Sequence, residues 1–365
     1  MNTEKGASRL LAPVYSCLRE DRAIYCCLYG FVAAAAIFLS SQGLWSRFSL
    51  WVYPKVTLEI FLIFSQVTLL GYLLHTMILR RPAALIETVS GELMNYLRNG
   101  GFLRGLLLLI SASVFFSSIS SFKTLIPEIN PFHWDPDFYQ LDLQLHGGVS
   151  PWQWLHGILD WPWATCALNA VYNAWFFLMQ AALFWFFFFA RKGVIRQQFL
   201  LSFICCWVVN GAVLALIFSS VGPAFYERLY PGVTSPYTDL MTYLHQANES
   251  YPVWALATQD YLWQLYQQGE NGIGGGISAM PSMHVSVALL LCCAIWPRGL
   301  LARVAGCHFV LIILMGSVHL AWHYAADGYL SLVTSLAIWK VCGWLLSFRP
   351  TPEAEPDVVP SLAKH

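Results

Sequence analysis

Residues 165–190 read TCALNAVYNAWFFLMQAALFWFFFFA, a run without one charged side chain. A hydrocarbon core of about 30 Å is crossed by a helix of about 20 apolar residues, and this run is long enough. A segment in lipid must also satisfy its own backbone N–H and C=O groups, which a helix does and an open strand does not. The stretch therefore decides for an all-α membrane protein. Similar segments fall near 24–44, 56–79, 105–126, 198–221, 280–296, 303–322 and 328–348, so the expected architecture is a polytopic bundle of about eight spans. The composition agrees, at 57% hydrophobic and 11% charged against roughly 45–50% and about 25% in soluble domains.

The first apolar segment begins after more than twenty residues and is followed by others like it, so a cleaved secretory leader is not expected. Formal net charge is zero. A nucleic-acid ligand is set aside, because a phosphate backbone is held by a basic stripe. The ten cysteines carry no CxxC spacing and fall almost wholly in apolar runs, where they read as core filler.

Eight spans put both termini on one side of the membrane. Fifteen of the twenty Lys and Arg then fall on that side, while Arg47, Lys55, Lys123 and Arg228 fall on the other. Cytoplasmic loops carry the excess of Lys and Arg, so both termini are expected in the cytoplasm. The long connections 127–163 and 222–279, rich in Trp, Tyr, Pro and Asp, are expected to form a cap at the lumenal, periplasmic or extracellular face.

Ionisable residues at membrane depth are costly and mark functional sites by default. Two clusters qualify. The first is Gly274-Gly275-Gly276-Ile277-Ser278-Ala279-Met280-Pro281-Ser282-Met283-His284. Glycines leading into a helix start present free N–H groups and a positive dipole end, which suits a phosphate. Ser278 is a candidate cap, Pro281 fits a first helical turn, and His284 would then lie about one turn inside. The second cluster sets His319, His323 and Asp327 four residues apart. On one helix they would share a face, with Asp327 touching His323. A carboxylate on one imidazole nitrogen fixes the tautomer and frees the other nitrogen to attack an electrophile. A structural His–Asp pair closing a helix junction, or a metal site with His284 as third ligand, uses the same residues. So does an intramembrane proton relay in a transporter or scramblase. Topology sets His284, His323 and Asp327 at one depth on the non-cytoplasmic face, with the two imidazoles expected to face each other across a small polar pocket.

At these residues the sequence resembles the type 2 phosphatidic acid phosphatase superfamily, whose three motifs run Lys-x6-Arg-Pro, Pro-Ser-Gly-His and Ser-Arg-x5-His-x3-Asp. The second stands here as Pro281-Ser282-Met283-His284 and the third as His323-x3-Asp327, with Gly316 and Ser317 in place of its Ser-Arg. The first is similar to Lys123–Pro131, with Asn130 in the arginine's place. These departures resemble the branch of inositol phosphorylceramide synthases and their bacterial relatives. The resemblance covers roughly 123–346. It implies a catalytic membrane domain at 105–348 with the outer cap loops; apart from the resemblance, 1–104 is read as N-terminal membrane helices and cytoplasmic segments, and the proline- and acid-rich 349–365 as a disordered cytoplasmic tail.

The resemblance further implies that His323 attacks phosphorus to give a phosphohistidine, that Asp327 orients it, and that His284 protonates the leaving oxygen. Lys123, Asn130, Ser282 and His319 are the implied substrate-binding residues. The scheme calls for no metal and no cofactor. Its partners are a lipid substrate, a lipid or alcohol acceptor, and the bilayer. Hydrolysis and head-group transfer share every step up to the acceptor.

Overall fold

The structure, a computed structural model, describes residues 13–348; the ends 1–12 and 349–365, the expected tail among them, lie outside the described residues. Among the described residues every regular element is a helix. Seven helices are long and apolar enough to cross a membrane: α1 (Arg22–Ser41), α2 (Pro54–Arg80), α3 (Gly101–Ile129), α4 (Pro162–Phe189), α5 (Val194–Ile217), α7 (Leu300–His319) and α8 (Ala325–Ser347). The remaining expected span, α6, is a shorter apolar helix, Met283–Arg298. The protein is a polytopic helical membrane bundle.

The shortness of α6 corrects the expected span at 280–296. The expected span starts at Met280, but residues 280 and 281 bend, Ser282 is an extended cap, and the helix starts only at Met283. At 1.5 Å per residue α6 is about 24 Å long, less than a ~30 Å core. Its position makes this tolerable. It packs against α4, α5, α7 and α8 and buries half of its residues, all within Met283–Ala294, so much of its length meets helices rather than lipid.

Small residues set the close approaches that packing in lipid requires. A Cβ on Gly306 of α7 would lie 2.7 Å from Cys292 Sγ on α6, and one on Gly105 of α3 would lie 2.2 Å from the Phe188 ring. In α3 a run of buried serines replaces the usual apolar face. Ser117 donates to the carbonyl of Ser113 (2.8 Å) and accepts from Tyr53 N (3.0 Å), while Ser121 accepts from Ser49 N (2.9 Å). These bonds pin the α1–α2 connection onto α3. At the far end of the bundle, Arg196 makes a bidentate pair with Asp21 at 2.7 and 2.8 Å, fully buried, and Arg104 pairs with Glu20 at 3.2 Å. In the core, Asn210 lies in a π-helical turn of α5 and donates to Ser286 of α6 (3.0 Å) and Ser335 of α8 (3.3 Å).

The connections 127–163 and 222–279 fold over one end of the bundle as short helices: Asp135–Leu145, Pro151–Leu159, Thr238–Ser250 and Trp254–Gln268. Two buried aspartates rivet this cap to the membrane helices. Asp135 accepts from Val221 N (3.1 Å), Gly222 N (2.8 Å) and the Tyr324 hydroxyl (2.8 Å). Asp142 accepts from Ala325 N (2.8 Å) and Ala326 N (2.9 Å), the first amides of α8, which have no partner within their own helix. Burial raises both carboxyls above their ordinary range, and these N–H donors oppose the rise.

Candidate active site

The α7–α8 connection decides the geometry. The four-residue spacing would put His319, His323 and Asp327 on one face if they stood on one helix. Instead α7 ends at His319, Ala321 takes a left-handed φ of 61°, and α8 begins at Ala325. Each turn of this loop is held by a named partner. Ser317 O accepts from Trp322 N (2.9 Å) and His323 N (3.0 Å), and Leu320 O accepts from Gln259 Nε2 (2.9 Å). Ala321 O accepts from Ala224 N at 2.9 Å. Gly222 makes room for the loop: its φ is +87°, and a Cβ there would sit 2.8 Å from Trp322 O.

His323 comes out of this loop almost wholly buried. Its Nδ1–H donates to the carbonyl of Ala279 (2.7 Å) and to Asp327 Oδ2 (3.2 Å). A backbone carbonyl can only accept, so Nδ1 carries the hydrogen and the neutral ring keeps its lone pair on Nε2. Asp327 Oδ2 also accepts from Tyr324 N (3.1 Å), which closes the first turn of α8 and fixes the carboxylate.

His284 faces this ring, with centroids 6.2 Å apart at 63°. It is the second residue of α6, because Ser282 rather than Ser278 caps the helix, its Oγ accepting from Val285 N (3.4 Å) with Pro281 outside. The imidazole lies against Tyr172 (4.5 Å, stacked) and Trp175 (4.2 Å) of α4. Gly316 allows that wall, since a Cβ there would lie 2.8 Å from the Tyr172 ring.

Both histidines line a cavity of about 390 Å³ together with Lys123, Ser278, Trp322 and the glycines 274–276. Lys123 makes no hydrogen bond or ion pair with the other described residues, and Gly276, at φ +85°, lies so close to it that a Cβ would come within 2.3 Å of the lysine Cβ. The cavity thus has a polar end, built from an unpaired lysine, the start of α6, the glycine loop and two imidazoles.

Three of the residues picked from the sequence are placed elsewhere. Asn130 turns away from the cavity and donates to the carbonyls of Leu216 (2.7 Å) and Ile217 (3.4 Å) at the end of α5. Ser282 is buried behind α6 as its cap. His319 bonds Thr165 Oγ1 (2.8 Å) and packs on His156 and Tyr243 under the cap. The motif positions carried these residues, but their side chains complete helix ends and the cap contact. The sequence reading in turn missed the Ala279 carbonyl, the aromatic pair Tyr172 and Trp175, and Asp135 as a rivet. The seven-residue spacing of Asp135 and Asp142, two turns of one helix face, was the available signal for the rivets. Among the described residues no three His, Cys, Asp or Glu side chains converge as metal ligands.

Two imidazoles, a carboxylate and a lysine are thus gathered under the cap of an all-helical membrane bundle, a set of groups able to bind an anion. The chain belongs to the PAP2 superfamily: its family model matches residues 136–341, more than half of the chain, and the match includes His284, His323 and Asp327. Membership places its function in lipid phosphatase or phosphoesterase-type chemistry. No curated protein and no solved structure matches the chain.

Proposed function

We propose that the protein transfers a phosphoryl-linked group of a membrane lipid through a phosphohistidine on His323, at the non-cytoplasmic face. The observation that carries this reading is the Nδ1–H of His323 held by Ala279 O at 2.7 Å, which commits Nε2 to the cavity as a base and nucleophile. Nε2 attacks phosphorus and the P–O bond to the leaving oxygen breaks, with a proton passing to that oxygen from His284. In the second half an acceptor hydroxyl gives its proton to His284 and attacks phosphorus, and the P–N bond breaks to restore His323. Lys123 and the α6 N-terminus hold the phosphate oxygens. Asp327 stabilises the positive charge that builds on His323.

Two observations favour a lipid or alcohol acceptor over water. His284 is walled by Tyr172 and Trp175, and the cavity is mostly apolar below the polar end, so little water reaches the intermediate. The motif departures at Asn130, Gly316 and Ser317 also resemble the inositol phosphorylceramide synthase branch. The outward placement rests on the basic residues. Among the described residues eleven Lys and Arg lie at the end opposite the cap, or before α1, and four at the capped end.

The test is purified protein in detergent micelles offered labelled phospholipids of differing head group, with and without alcohol acceptors. New phosphodiester lipid in excess over free phosphate is the expected product. Free phosphate alone would replace transfer by hydrolysis, and release of neither from any lipid would reject the reading.

A further inference from the structure

The cavity does not stop at the histidines. On α3 its lining runs from Lys123 back to Leu109, and on α4 from Tyr172 to Phe187, each about 21–22 Å at 1.5 Å per residue. One leaflet of a ~30 Å core is about 15 Å deep, so the apolar arm is deeper than a leaflet. Phe116 and Leu109 line it from α3, Met179 and Phe187 from α4.

The third wall is α2, which precedes the matched region. It offers Tyr53, Val56, Thr57 and Ile60 to the arm, a spacing that puts all four on one helix face. One turn on, Phe61 and Phe64 pack against Phe184, which lines the arm, and Phe61 against Phe188, with ring centroids 5.5–6.3 Å apart, an aromatic floor behind the lining. At the top, the Tyr53 hydroxyl accepts from Gly274 N at 2.8 Å, and Arg47 donates to Gly269 O at 2.9 Å and pairs with Glu128. Helix α2 is therefore anchored to the glycine loop at one end and to an aromatic floor at the other. Between them no residue of Pro54–His75 is buried, as expected of a wall with cavity on one face and lipid on the other.

We propose that α2 is the lipid-selecting wall of the site. One acyl chain of the substrate runs from the phosphate position at His323 down the arm between α2, α3 and α4, and Val56, Thr57 and Ile60 determine which chains fit. The charge gradient sets the direction, since Lys123 and the imidazoles can hold only the head group and the aromatic floor can hold only hydrocarbon. This rests on the lipid phosphoester reading above.

The test is Ile60→Trp, which fills the arm beneath the polar end. Dioleoyl and dihexanoyl forms of the best phospholipid from the turnover screen are compared. A filled arm should lower kcat/KM for the dioleoyl form about tenfold or more relative to the dihexanoyl form, because a methylene misfit of this kind costs about 10–200-fold. Val67→Trp, on the exposed face of α2, should change neither. Equal loss on both forms, or no loss, would overturn the proposal. A second measurement uses the parent protein and no turnover. Phosphatidic acid with a diazirine at the acyl terminus should label arm-facing residues near Ile60 and Phe187, with competition by dioleoyl but not dihexanoyl phosphatidic acid. Labelling confined to the exposed face of α2 would overturn it even if the chemistry stands. Arm labelling without turnover would keep the acyl site and reject the proposed reaction.

Discussion

His323 Nδ1 is shared between a carbonyl at 2.7 Å and a carboxylate at 3.2 Å, and the shorter bond is to the group that cannot ionise. The tautomer is therefore set by Ala279 as well as by Asp327, and the two can be separated by substitution. His323→Ala should abolish turnover and the acid-labile phosphoenzyme, because the covalent route is gone. His284→Ala should keep a residue of activity, since general acid catalysis contributes about 10²–10⁴-fold, and the loss should shrink on substrates whose leaving group needs no proton. Asp327→Asn removes the charge but leaves the carbonyl to hold Nδ1–H. Loss of the carboxylate from a Ser–His–Asp site costs about 10⁴-fold through the wrong tautomer, so here the fall should be smaller, about 10²-fold. Rapid-quench turnover on folded, detergent-solubilised variants measures all three. Full activity in His323→Ala would remove the nucleophile assignment and return the His–Asp pair to a structural or relay role.

At the scale of elements, the question is why the His323 loop holds its shape without regular hydrogen bonding. Asp142 answers in part, by taking the two amides that open α8 into a carboxylate on a different helix. Removing a buried acceptor leaves its donors unpaired at about 1–3 kcal/mol each, and a carboxylate at a helix N-terminus also meets the dipole. Asp142→Ala should lower unfolding stability by about 2–6 kcal/mol on that basis. The cap should become protease-sensitive before the membrane helices do; an unchanged thermal midpoint with an intact cap would show that the rivet is dispensable. The same loop marks where sequence reading stops. Charge-free runs such as 165–190 have one physical solution in lipid, so the spans were legible. The four-residue ladder His319–His323–Asp327 was legible only as spacing, because nothing in it announces that Ala321 turns left-handed and sends His319 under the cap. Asn130 sat in the right motif position, but the carbonyls of Leu216 and Ile217 claim its amide, and no local pattern reports a partner 86 residues away. The start of α6 was obscured in another way, since the apolar run was read from Met280 although the helix begins only at Met283.

For the whole molecule the governing asymmetry is electrostatic, and it carries the orientation. The described helix ends away from the cap bear Arg80, Arg98, Arg104, Arg191, Lys192, Arg196, Arg298 and Arg303, while the capped end has Arg47, Lys55, Lys123 and Arg228. Lys123 is turned into the cavity, and Arg47 and Arg228 are paired with Glu128 and Asp260, which leaves the capped end still less net positive charge. Basic residues close to span ends are retained in the cytoplasm, and the bias counts over short loops such as those joining α2 to α3 and α4 to α5. The cap and the cavity mouth should therefore face away from the cytoplasm. Single cysteines placed at Gly148 and Glu249, in a background with exposed Cys26 and Cys307 replaced, should react with a membrane-impermeant maleimide added to intact cells or sealed right-side-out vesicles. A cysteine at Arg191 should react only after permeabilisation. Gly148 lies in an exposed turn with open space around it, so the reagent's access depends on the side and not on the packing; its φ of +84° strains a cysteine there, and Glu249, on an exposed helix face, reports the same side without that strain. Reaction at Arg191 before permeabilisation and at Gly148 only after it would invert the orientation, and would put the histidine pair on the cytoplasmic face with access to soluble phosphate esters as well as to lipid.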